Sequence, residues 1–298
     1  MYRKYDLNEN YFSELKTHEQ AYILGFIYAD GYNSEGILEL DQKEERIDIL
    51  EKINKALESN NPIKSYSPGI YRLSFHSIKL CSDLTRLGAI RNKSLVLTFP
   101  DFIPDDLMSS FILGYFDGDG CVWNGKRKKM WVKNEKKPGE MRERIVHNVK
   151  FTFTGCISFI ESLQDYLVSK GIVKNKTKLN FSKANNPNTP TCDKVCTMEY
   201  SGRTQMRNLY EYMYSNSPIW CNEKKLKFEE IFCAFEEKSS KDISLIAETP
   251  EMVISSEASN IEERSSTIPE MGVESSDSKC ETPNLKEKGE DIVSSAIK

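Results

Sequence analysis

The chain spells nearly the same phrase twice. Residues 21–31 read AYILGFIYADG and residues 110–120 read SFILGYFDGDG, an offset of 89 from Ile23 to Ile112. Each phrase is a short apolar run of helical character that closes on an acid and a glycine, Asp30-Gly31 and Asp119-Gly120. A helix C-terminus already carries about half a negative charge from its aligned peptide dipoles, so a carboxylate is better placed at the other end. Two such carboxylates on duplicated helices point to two helix ends brought together around positive charge. Gly25 and Ala29 lie four apart, as do Gly114 and Gly118, giving each helix a stripe of small residues on one face. A helix-interior glycine costs about 1 kcal/mol relative to alanine. Its return is close backbone approach, inside the usual ~8–10 Å between helix axes, which makes Gly25 and Gly114 the expected interface positions. Packed along these stripes, the helices converge on Asp30, Asp119 and their last free carbonyls, an oxygen-rich site of the kind Mg²⁺ occupies.

The paired phrases resemble the repeated motif of the LAGLIDADG homing endonucleases in their single-chain, two-motif form. On the motif, the first copy is ILGFIYADG, Ile23 to Gly31, and the second is ILGYFDGDG, Ile112 to Gly120. Tyr28 stands where the family name has its earlier aspartate, which the second copy keeps as Asp117. The final aspartate, present in both copies, is the family's metal ligand. The resemblance implies an α+β protein, a duplicated α-β-β-α-β-β-α fold whose two curved antiparallel sheets, related by pseudo-twofold symmetry, straddle DNA. It covers roughly residues 12–235.

The order of patterns along the chain agrees with such a repeat. Residues 1–100 form the expected first half. Thr17-His18-Glu19-Gln20 has the form of a capping box ahead of the first motif. Strand-like GILELDQK (36–43), an amphipathic helix over 46–59, strand-like IKSY and IYRLSFH, and a helix over 79–88 follow. The second half, 101–237, opens on Pro104-Asp105-Asp106, a helix start with its acids at the favoured end. Strand-like 146–155, a helix over 156–171, strands near 173–182 and 195–201, and helices over 203–214 and 223–237 complete it. Val146-His147-Asn148 resembles the end of an intein, but the following Val149 offers no nucleophile.

Net charge is −4 over 298 residues, which by itself speaks against a nucleic-acid partner. Its distribution reverses that inference. Residues 236–298 hold 15 acids and 7 bases, a net of −8, which leaves +4 for the rest. Residues 126–150 carry ten Lys and Arg against three Glu. The segment 238–298 is rich in Ser and Glu, and no aromatic residue follows Phe235, so it is expected to be disordered. No apolar run approaches the roughly 20 residues of a membrane span and the N-terminus has no signal-peptide pattern, so a soluble, intracellular protein is expected, cytoplasmic, nucleoid or organellar. Apart from Cys192 and Cys196, which lack two further ligands nearby for zinc, the eight cysteines have no paired spacing, and all read as reduced thiols.

Period-two alternation assigns strand faces. Arg72, Ser74 and His76 share one face of 70–77, opposite Tyr71, Leu73 and Phe75. Lys174, Lys176, Lys178 and Asn180 share the polar face of 173–182. A two-stranded β element fits the major groove, where such side chains meet distinctive base edges. Lys126, Arg127, Lys128, Arg142 and Arg144 read as a basic hairpin whose charges mostly touch phosphates. In GILELDQK the outward set would be Glu39, Asp41 and Lys43; the acids either accept from cytosine amino groups or the strand lies at a sheet edge.

Phosphodiester hydrolysis needs an attacking water, charge stabilisation at phosphorus and help for the leaving oxygen, all of which divalent ions supply. Asp30 and Asp119 would anchor Mg²⁺ or Mn²⁺, helped by the carbonyls of Ala29 and Gly118. The resemblance further implies one basic residue per half near the cut: Lys93 in RNKS, and Lys224 in NEKKLKF with Lys225 as its alternative. Gln42 is a candidate to orient water. The expected activity is site-specific cleavage of double-stranded DNA by a monomer; the alternatives are an RNA maturase acting on intron RNA and a DNA-binding protein that has lost cleavage.

Overall fold

The computed structural model describes residues 4–132, 141–181 and 194–247. Helix α1, His18–Asp30, begins where Thr17 accepts from the Gln20 amide while the Gln20 side chain accepts from the Thr17 amide, the capping box in full. It is followed by β1 Gly31–Ser34, β2 Ile37–Lys43, α2 Ile47–Ala56, β3 Lys64–Ser67, β4 Ile70–His76 and α3 Ile78–Arg86. The order then repeats with α4 Asp105–Asp119, β5 Gly120–Val132, β6 Met141–Cys156, α5 Ile157–Ser169, β7 Asn180–Phe181, β8 Val195–Ser201 and α6 Arg203–Tyr214. A last helix, α7, runs from Asn222 to Ala247, past the point where the acidic tail was expected to start. Residues 248–298 lie outside the described set.

Both sheets are four-stranded and antiparallel with the same topology, β1-β2-β4-β3 and β5-β6-β8-β7. Alternation decides their faces. In β4, Leu73 and Phe75 are buried while Arg72, Ser74 and His76 look away from the core; in β2, Leu38 and Leu40 are buried while Glu39 and Asp41 are not. Strand β2 lies inside its sheet between β1 and β4, so its two acids are not accommodated by an edge position. The helices α1 and α4 are buried almost all round, and one apolar core joins them to residues of both sheets and to α5, α6 and α7.

One strand is shorter than its sequence suggests. Within the described part, 173–181, only Asn180–Phe181 pairs as β7. The backbone before it is committed elsewhere: the Val173 amide donates to the Leu167 carbonyl, the Lys174 amide to the Gln205 side chain, and the Asn175 and Thr177 carbonyls accept from Tyr200 and Gln164. The alternation survives over 176–180, with Lys176, Lys178 and Asn180 exposed and Thr177 and Leu179 half-buried; Lys174 is exposed as well, but so are Asn175 and Phe181, which breaks the pattern at both ends.

Candidate active site

The two motif helices cross in backbone contact. A Cβ on Gly25 would overlap the Phe111 carbonyl and come within 2.9 Å of the Tyr115 amide nitrogen; one on Gly114 would overlap the Tyr22 carbonyl and come within 2.8 Å of the Phe26 amide. A side chain at either position would require the two backbones to move apart. The stripe continues to the helix ends, where a Cβ on Gly118 would overlap Ala29 and lie 3.4 Å from the Asp30 carboxyl carbon. The C-termini of α1 and α4 therefore meet, and Asp30 and Asp119 meet with them.

Four carbonyls at the end of α4 have one cationic partner. Lys224, only 2 % exposed and in the first turn of α7, donates from Nζ to the carbonyls of Phe116 and Asp117 (2.6 Å each), Gly120 (2.7 Å) and Gly118 (3.2 Å). This offsets the negative helix end that sequence alone leaves unexplained. The carbonyl of Gly118 is thus already engaged. At the end of α1 the arrangement is lighter. Lys93, in a 3₁₀ turn over Lys93–Leu95 entered through left-handed Asn92, is 9 % exposed and donates to the Gly31 carbonyl. Lys225, the alternative to Lys224, instead lies over the Trp220 ring, 3.9 Å from its centroid.

The carboxylates differ in their bracing. Asp30 is half-buried and accepts from Gln42 Nε2 at 2.6 Å. Burial raises its carboxyl, while Gln42, Lys224, Lys93 and Arg46 pull the other way. Asp119 keeps an exposed face, yet crowding by the helix ends and the charge of Asp30 push it up to about 6 against Lys93 and Lys224. Burial lowers both lysines, which the nearby aspartates partly restore. Beneath the pair lies Asp117, fully buried: its Oδ2 accepts from the Tyr22 hydroxyl (2.6 Å) and the Cys221 amide (2.7 Å), while Oδ1 has no hydrogen-bond partner. Burial pushes Asp117 up to about 6, with Lys224 as the main restraint. In the first motif Tyr28 takes this position and donates to the Leu87 carbonyl at 2.6 Å.

Sequence reasoning did not single out Arg46. Its Nε donates to Glu223 at 2.6 Å, beside Lys224, and its charge bears on Asp30 and Asp117. The signal is a contact between residues 177 apart in sequence, which no local pattern carries.

The expected base- and phosphate-facing residues lie on the sheets. Arg72, Ser74 and His76 line a concavity of about 270 Å³ together with Lys64 and Tyr66. Lys126 and Lys128 are exposed on β5, and Lys128 pairs with Glu143 at 2.8 Å. Arg127, Arg142 and Arg144 fall in the register of the β5–β6 ribbon, opposite Val146, Trp131 and Lys129, but their side chains lie outside the described set. Lys176 pairs with Asp165. Among the described residues no group of three or more His, Cys, Asp or Glu side chains is placed to hold a metal ion together, and no helix is long and apolar enough to cross a membrane.

No protein-family model and no curated protein matches the chain. Solved structures do. The LAGLIDADG meganuclease I-AabMI bound to uncleaved DNA is 14 % identical with a TM-score of 0.52, over 74 % of this chain and 91 % of that one. The I-LtrWI LAGLIDADG homing endonuclease bound to target DNA is 14 % identical with a TM-score of 0.47, over 82 % and 99 %. The I-SmaMI enzyme bound to cleaved DNA is 11 % identical with a TM-score of 0.47, over 74 % and 90 %. With its repeated element order, its twin sheets and the backbone-to-backbone crossing of α1 and α4, this chain has the fold of the LAGLIDADG homing endonucleases.

Proposed function

We propose that this chain is a site-specific double-strand DNA endonuclease that uses a divalent cation, Mg²⁺ or Mn²⁺, and acts as a monomer on a long target with unlike half-sites. The observation that carries this reading is the meeting of Asp30 and Asp119 at the crossed helix ends, each end seated on a buried lysine. A structure of the same fold is bound to DNA, and the polar sheet faces of this chain offer the matching donors and acceptors.

The residues fit a hard cation. Asp30 raises Asp119, so a positive charge between them would relieve their repulsion, and oxygen donors are what Mg²⁺ prefers. Asp30 and Asp119 would hold it, with the Ala29 carbonyl beside them. When bound, such an ion supplies charge stabilisation for the phosphodiester and for its attacking and leaving oxygens. The chain's own groups prepare the place. Gln42 fixes the orientation of Asp30. Lys224 commits its three N–H donors to main-chain carbonyls and therefore serves as a fixed charge rather than a proton donor. Lys93 makes fewer such bonds and retains more freedom to reach a phosphate or a water.

Incubation of the full chain with a plasmid carrying the insertion site of its host element tests the reading. Linear product that requires Mg²⁺ and disappears in Asp30→Asn and Asp119→Asn, with binding retained, is expected. Tight binding of duplex without cleavage by the wild type would instead make the chain a DNA-binding protein, and preference for intron RNA would make it a maturase.

A further inference from the structure

The two sheets correspond position by position. The glycine after each motif aspartate pairs with Leu40 in the first sheet and with Phe153 in the second. The next residues, Asp41 and Thr154, are therefore equivalent, and so are their cross-strand partners Arg72 and Thr197. Leu40 and Phe153 point into the core, so these pairs face outward, on the surface that would lie against the duplex.

What fills the equivalent places differs in kind. Arg72 donates from Nε and Nη2 to the two Asp41 oxygens at 2.6 Å each, and its Nη1 reaches Glu39 at 3.0 Å. Its guanidinium also lies over the Tyr66 ring, 3.7 Å from the centroid. In the second sheet the Thr154 and Thr197 hydroxyls simply bond each other at 3.0 Å. The guanidinium charge is matched by Asp41 and Glu39, which leaves Lys64, opposite Arg72 on β3, as a cation for phosphate and suits Arg72 poorly to gripping phosphate itself. A guanidinium has five N–H donors. Two are committed to Asp41, and Nη1 is held near Glu39 as an ion pair, which leaves an N–H on each terminal nitrogen, a match for the paired O6 and N7 acceptors of guanine. Asp41 and Glu39 would accept from a cytosine amino group at the same level. Clamped on one edge and stacked on one face, the fork cannot swing away. A hydroxyl donates or accepts with any base, so the threonine pair selects little.

Resting on the reading of the chain as a DNA endonuclease, we infer that Arg72, held by Asp41 as a positioning residue, reads a guanine in the major groove of one half-site, while the Thr154–Thr197 pair leaves the mirror-related base pair of the other half-site nearly unselected.

Selection of bound duplexes from a randomised library by the full chain, without divalent metal, tests this. Wild type should show a guanine preference of at least tenfold, the scale of one bidentate contact, at a single position of one half-site. Asp41→Asn should flatten that position while leaving the rest of the profile intact, and by removing a negative charge it should tighten binding to unselected DNA. Asp41→Glu should partly restore the preference. Thr154→Asp combined with Thr197→Arg should create a guanine preference at the mirror-related position, a gain that a merely structural role for Asp41 would not produce. A uniform loss of affinity in Arg72→Gln, with base preferences unchanged and a shallower salt dependence, would make Arg72 a phosphate contact and overturn the inference. Selective binding with no guanine preference at either position would overturn it while leaving the endonuclease reading standing; no duplex bound at all would sink both.

Discussion

The two helix ends solve one electrostatic problem with unequal means. The end of α4 is neutralised from within, by Lys224 bonded to four carbonyls, a charge that also offsets the buried Asp117, which accepts from the Cys221 amide at the start of α7. The end of α1 is neutralised from its rim, by Lys93 on a single carbonyl and by Gln42 on the carboxylate itself. The difference follows from what each motif carries. Asp117 demands a cation and an amide beneath the helix, whereas Tyr28 in the same place needs only the Leu87 carbonyl. One end is therefore built as part of the core and the other as an adjustable surface, although both present an aspartate to the same seam.

The largest effects should fall on the feature the halves share. Asp30→Asn and Asp119→Asn each remove a candidate metal ligand and should lower the cleavage rate on the order of a thousandfold, as several kcal/mol of charge stabilisation are lost. Single-turnover cleavage of plasmid, compared with binding to the same site, measures this, and retained cleavage in either variant would remove that aspartate from the site. The lysines should then separate the halves. Lys224→Met leaves four carbonyls and the Asp117 carboxylate without their cation, and should destabilise the fold by about 3 kcal/mol. Lys93→Met forfeits one carbonyl bond and should destabilise by about 1 kcal/mol. Urea unfolding at pH 7 reads both, and equal losses would mean that the two seats are alike after all.

The crossing point should respond symmetrically. In Gly25→Ala and Gly114→Ala the new methyl meets main chain rather than a movable side chain, so each should destabilise by about 1–3 kcal/mol and by similar amounts. A difference larger than 1 kcal/mol in thermal or urea unfolding would indicate that only one of the two contacts is tight.

These features were legible from sequence because they are local and repeated: the glycine stripe, the terminal aspartates, the capping box at Thr17 and the alternation in 70–77 each depend on residues a few positions apart. The boundary of β7 was not, because the backbone of 173–179 is claimed by side chains from α5, β8 and α6. Residues 31–34 carry too short a pattern to mark β1 without its partner β2. Arg46 looks like an ordinary helix-start residue until Glu223 is brought beside it. The acids of β2 made sense only once their register opposite Arg72 and Ser74 was known. Lys224 and Lys225 are adjacent in sequence, and what separates them is the axis of α7, which turns one into the helix seam and the other onto Trp220.

The smallest expected effect concerns protons. Asp119 holds its proton up to about 6, above the ordinary carboxylate range. Between that range and pH 6 the folded chain binds more protons than the unfolded one, so this group makes the metal-free protein less stable as pH rises through the window. A divalent cation reverses the sign, because it binds the ionised form. The stabilisation produced by Mg²⁺, followed by thermal unfolding in the absence of DNA, should therefore be largest above pH 6. Below it the affinity for Mg²⁺ should weaken by about tenfold per pH unit. Asp30 is also raised, but Gln42 restrains it. In Gln42→Leu that restraint is gone, and the acid limb should move to higher pH and steepen as two carboxylates rather than one must lose protons. A Mg²⁺ effect that is flat from pH 5 to pH 8 would mean that the cation does not displace a proton from this pair, and an unchanged limb in Gln42→Leu would mean that the bracing of Asp30 does not distinguish it from Asp119.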